Sequence, residues 1–70
     1  MSDIAIAIHH VDEQLNKGQE WGSIYLAKLS RLGWLGQYVR ELPPEEQQEY
    51  ADEIALLKAV IEHLLMRRGE

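Results

Sequence analysis

Cysteine is absent from the 70 residues, and with it go disulfide staples, thiol nucleophiles and the commonest zinc ligand sets. Positive charge is scarce as well: seven Lys and Arg stand against twelve Asp and Glu, for a net charge of −5. No basic run exceeds Arg67-Arg68. Phosphate contacts dominate affinity for nucleic acid, so a chain without a basic stripe is a poor ligand for DNA or RNA and for an anionic membrane surface. Long apolar runs are missing too. The longest, Ile4 to Ile8, falls far short of the roughly 20 residues that span a bilayer. The first residues lack the basic region and extended apolar core of a secretory signal, so the expected compartment is cytoplasmic.

Catalytic signatures are equally sparse. Ser2, Ser23 and Ser30 sit in no nucleophile elbow, and no glycine-rich phosphate loop follows a strand. Paired acids such as Glu45-Glu46 and Asp52-Glu53 fall on an open helix surface, where burial does not retune their protonation. The expectation is a chain that is no enzyme and carries no cofactor. A single domain spanning residues 1–70 hides only about 60% of the surface its unfolded form exposes. With disulfides excluded, self-association is the staple that remains at this size. A homodimer is therefore expected.

What the sequence does contain is helical periodicity, which predicts an all-α fold of three helices. Ser2 suits an N-cap, Asp3 places negative charge in the first turn, and Ile4, Ile8, Val11 and Leu15 recur at helical spacing until Asn16-Lys17-Gly18. Ile4 to Ile8 also alternates large and small side chains as a strand does, but the continuation through Val11 and Leu15 favours helix. A second helix is predicted from Glu20 or Ser23 to Glu41, with Trp21, Tyr25, Leu32, Leu35, Val39 and Leu42 on one stripe, ending where Pro43 disfavours helical geometry at Leu42. Gly33 and Gly36 interrupt it at about 1 kcal/mol each relative to alanine. That cost implies either a close neighbour or a break, and the continuing stripe favours one helix. The third helix opens at Pro44 and closes at Arg67-Arg68, with Tyr50, Ile54, Leu57, Ile61 and Leu64 forming a packing seam. Short connections make helices 2 and 3 an antiparallel hairpin, with helix 1 packed across it.

More apolar faces are present than three helices of one chain need. Leu56 and Val60 widen the seam of helix 3 on one side and Leu65 on the other, and Ile6 lies opposite Ile4, Ile8 and Val11. Ile6, Leu56 and Val60 are the residues expected at an oligomer interface, completing a bundle by dimerisation. On helix 2, Ala27, Trp34 and Tyr38 project together with Arg31 at their edge. Trp, Tyr and Arg are the residues most enriched among binding hot spots, so Ala27, Arg31, Trp34 and Tyr38 are the expected contact face for a protein partner. Leu26, Ser30, Gly33 and Gln37 mark a shallower strip of the same helix, and Lys28 lies in its packing stripe, with Glu46, Glu49 and Glu53 as candidate partners.

His9, His10, Asp12 and Glu13 are the only concentration of potential metal ligands. His9 and Glu13 are four apart and share a face, but a solvated polar face is the plainer reading and no metal is expected. Glu62 and His63 are adjacent and diverge. Histidines flanking Ile6 would make any association there sensitive to pH near neutrality. The acids Glu45, Glu46, Glu49, Asp52 and Glu53 serve the helix dipole and solubility, or offer a docking surface for a basic patch. Together these features describe a small acidic interaction module, acting as regulator, inhibitor or adaptor of a protein partner. The alternative is a structural small subunit whose faces are consumed in an oligomer.

Overall fold

The computed structural model describes residues 2–68, and among them every regular element is a helix, joined by short turns at 17–20 and 41–43. Helix α1 spans Asp3–Asn16, α2 Trp21–Arg40, α3 Pro44–Gln47 and α4 Ala51–Arg68, with a single 3₁₀ turn, Gln48–Tyr50, joining α3 to α4. The third predicted helix is thus realised as α3, the turn and α4 in succession. Its N-terminal part is tightened where Gln47 Nε2 donates to the Leu42 carbonyl and the Gln47 amide bonds back to Pro43.

Local chemistry sets the ends. Ser2 caps α1 through a hydrogen bond accepted by Oγ from the Ala5 amide, satisfying one of the donors a helix start leaves orphaned. At the other end Gly18 takes a left-handed φ of +94°. Its amide bonds to Leu15 O, and the Gln19 amide to Gln14 O. These paired bonds form a Schellman stop, which needs a glycine at the left-handed position. Pro44 occupies the first turn of α3, where its missing N–H costs nothing.

α4 is the central element, and both α1 and α2 pack on it. The contacts give the directions. Trp21, at the start of α2, hydrogen-bonds Leu64 near the end of α4, Arg31 meets Glu53, and Tyr38, near the end of α2, touches Tyr50. α2 and α4 are therefore antiparallel. Ile4 shares a groove with Asp52 and Leu56, whereas Asp12 reaches His63 and Arg67, so α1 runs parallel to α4. The hairpin with α1 against it is the expected architecture.

Val11, Ile24, Val60 and Leu64 form the buried cluster, flanked by Ala7, Ile8, Leu15, Trp21, Tyr25 and Leu56. Leu35, Leu57 and Ile61 are also buried. The seam of α4 thus turns inward as its spacing predicts, and Leu65 stays outside, nearly half exposed.

The glycines depart from expectation. α2 is unbroken through Gly33 and Gly36, yet among the described residues no heavy atom of a neighbour lies within 4 Å of where a Cβ would stand at either. Neither the close neighbour nor the break is found. The remaining turns of α2 supply enough hydrogen bonds and enough burial, at Ile24 and Leu35, to carry two unfavourable residues.

Candidate functional site

Along α2, Arg31, Trp34 and Tyr38 stand three and four residues apart, the spacing that stacks side chains on one helix face. The Arg31 guanidinium lies 5.0 Å from the Trp34 ring centroid, the Trp34 and Tyr38 rings stack at 5.4 Å and 4°, and Tyr38 meets Tyr50 edge-on at 5.6 Å and 84°. Arg31 Nη2 also donates to Glu53 Oε1 at 3.1 Å. The row therefore begins at α4, crosses three residues of α2 and ends in the 3₁₀ turn. Both ends are held by the neighbouring segment, which is what orders an indole that is 55% exposed. An ordered exposed aromatic loses little rotamer freedom when something docks on it.

Hydrogen bonding with Tyr38 is the first cause holding the Tyr50 phenol above its ordinary range, with the carboxylates of Glu49 and Glu46 acting in the same direction. A cleft of about 180 Å³ opens beside the row, lined by Trp34, Gln37, Tyr38 and Glu41. Ala27 is exposed one turn before Arg31, on the wall of a separate cleft with Gln14, Gln19 and Lys28. The structure thus brings Arg31, Trp34 and Tyr38 into direct contact and leaves Ala27 at their border.

The residues expected at an oligomer interface divide. Ile6 is 41% exposed. Leu56 packs against the core, and Val60 is 1% exposed, in the centre of the buried cluster. Val60 is covered by α1 and α2 of its own chain, which leaves none of it for a second one.

A second constellation was not legible beforehand. Asp12 Oδ1 accepts from Arg67 Nη1 at 2.7 Å and pairs with His63 Nε2 at 2.8 Å, tying α1 to α4 across the protein. The hydrogen bond with His63 is the chief cause holding the Asp12 carboxyl below its ordinary value of 3.8; partial burial opposes it, and Arg67 acts with His63. His63 and Arg67 are four apart on α4, a spacing visible in the sequence, but nothing there assigns Asp12 to them. The trio clamps α1 to α4. At the same end the Trp21 indole N–H donates to Leu64 O at 2.6 Å. Tyr25 stacks on one side of Trp21 at 4.8 Å, and the Arg68 guanidinium lies 5.1 Å from the ring centroid.

His9 Nε2 lies 2.9 Å from Glu13 Oε1. Among the described residues no group of three His, Cys, Asp or Glu is placed to hold a metal ion, and no helix is long and apolar enough to cross a membrane. Lys28 is half-buried, and of its candidate partners Glu53 is engaged by Arg31 instead. An open groove of about 490 Å³ lies between the starts of α1 and α4, with Ile4, Ala55 and Leu56 beside Asp3, Glu49 and Asp52. Compared with family models, curated proteins and solved structures, the chain matches none of them.

Proposed function

We propose that this chain is a small protein-binding module whose working surface is the outer face of α2, and that it regulates, inhibits or adapts a protein partner. The observation carrying this reading is Trp34, an indole half in water yet held between Arg31 and Tyr38. Hot spots at protein interfaces are built from these three residue types, and pre-ordering them lowers the cost of association. The absence of a thiol, a phosphate loop and a nucleophile elbow supports binding rather than catalysis. The net charge of −5, the lack of a basic stripe and the short apolar runs support a cytoplasmic setting, without nucleic acid or membrane as partner. Association between copies belongs to the reading, because a chain this short gains from a shared core.

The experiment is capture from cells of the source organism on immobilised chain, wild type against Trp34→Ala. A stoichiometric protein retained by the first and lost from the second is the expected result; identical retention on both defeats the assignment of the face. The second reading, a structural subunit with every face covered in an assembly, is favoured by Ile4, Ile6, Leu65 and Met66, large apolar residues exposed away from the α2 face. It predicts that the chain alone forms a closed oligomer and retains nothing else.

A further inference from the structure

We propose that the outer face of α2 is covered by the same face of a second copy, the two α2 helices lying antiparallel about a two-fold axis close to Gly33 and Trp34. The proposal rests on the α2 face being the working surface and adds what covers it in the free protein: a foreign partner docking there displaces the second copy, so pairing and capture compete for one face.

Area supports it first. The chain exposes 5182 Å², whereas compact monomers of its 8.1 kDa expose about 4,500 Å². The surplus, about 700 Å², is close to the roughly 800 Å² that each partner gives to a standard interface. Shape agrees, since the molecule is a slab of 41 × 25 × 18 Å with a radius of gyration of 13.3 Å, against about 11 Å for a compact chain of this length.

Packing comes next. Gly33 sits beside Trp34 on exposed helix, with open space where its Cβ would be, and nothing among the described residues accounts for a glycine there. A second helix crossing at that point would, because the missing Cβ lets two backbones approach while each Trp34 lies over the other chain. The cleft formed by Trp34, Gln37, Tyr38 and Glu41 then lies opposite side chains from the partner's Arg31 turn.

Charge selects the direction. Between Trp21 and Arg40, α2 carries Lys28, Arg31 and Arg40 and no acid, while Glu41, Glu45, Glu46 and Glu49 follow at once. A parallel pairing would set Arg31 against Arg31. The antiparallel one about Gly33 and Trp34 sets Arg31 opposite Gly36 instead and turns the acid-free first half of each helix towards the end of the other where Glu41 follows.

Sedimentation equilibrium reads the mass and a cysteine pair reads the face. Wild type is expected to approach 16.2 kDa, twice 8.1 kDa, and Trp34→Ala to weaken the pairing by about 30-fold or more with its helical circular dichroism unchanged. The chain has no cysteine of its own, so an oxidised chain carrying both Ser30→Cys and Gln37→Cys should run as a covalent dimer, since an antiparallel pairing about Gly33 and Trp34 sets position 30 of one helix against 37 of the other without filling the space at Gly33. Gly22→Cys, exposed but eleven residues from Gly33, should stay single. A mass of 8.1 kDa at several hundred micromolar overturns the proposal, and so does a dimer that ignores Trp34→Ala or leaves the cysteine pair unlinked. If the chain is monomeric yet Trp34→Ala still abolishes capture of a foreign protein, the α2 face keeps its function and only the occupant named here is lost. If Trp34→Ala alters neither, both readings fall.

Discussion

Asp12 is the residue on which the attachment of α1 turns, because one carboxylate oxygen serves both His63 and Arg67. All three side chains are about a quarter to a third exposed, so solvent screens the trio and its worth is modest. Asp12→Asn should lower stability by about 1 kcal/mol in urea unfolding at neutral pH. The pH dependence follows from the depressed carboxyl. Its contribution is complete above the unfolded value of 3.8 and disappears as pH falls from there through the lower folded value. Wild type should therefore lose stability more steeply than Asp12→Asn below about pH 4, and equal slopes would show that Asp12 is unpaired in solution. Leu64 is the opposite kind of residue, wholly enclosed in the core. Leu64→Ala should cost about 3 kcal/mol, enough in so small a protein to populate the unfolded state visibly in a thermal melt.

At the scale of elements, α2 is long, unbroken and weaker than it needs to be. Alanine at Gly33 or Gly36 meets no neighbour and neither glycine has a positive φ, so each replacement should stabilise the isolated chain by up to about 1 kcal/mol. Gly33→Ala should at the same time weaken self-pairing if backbones approach there. Chemical denaturation of the two variants, followed by their masses at matched concentration, separates the effects. Much of this element structure is legible in the sequence: the Ser2 cap, the stop at Gly18, Pro44 opening the third helical segment, and the inward turn of Leu57, Ile61 and Leu64. Periodicity reports which side of a helix is apolar. It does not report how far one helix is shifted along another, and the Asp12 clamp and the bond from Trp21 to Leu64 both depend on that shift. Val60 shows the same limit from the other side, since spacing places it beside the seam without saying that α1 and α2 cover it. Arg31, Trp34 and Tyr38 are legible as a group because they share one helix. Their ties to Glu53 and Tyr50 are not, because those cross to another segment.

For the whole molecule, charge is unevenly laid out. The start of α1, the end of α2 and the start of α4 share one end of the slab, and with them gather Asp3, Glu41, Glu45, Glu46, Glu49 and Asp52. Pairing that turns the Lys28 and Arg31 side of one helix towards the acids at the end of the other should weaken on adding salt, whereas burial of Trp34 should not. Sedimentation at two ionic strengths tests this; an association constant indifferent to salt would show that charge takes no part in the pairing.

The two indoles occupy unlike surroundings, and that difference amounts to a pair of built-in optical reporters. Trp21 is wedged between Tyr25 and Arg68 with its N–H committed to a carbonyl, so its emission follows unfolding. Trp34 faces water on α2, so its emission and its accessibility to acrylamide follow whatever settles on that helix. Single Trp→Phe replacements would assign each signal, letting intactness and docking be monitored separately in one unlabelled sample.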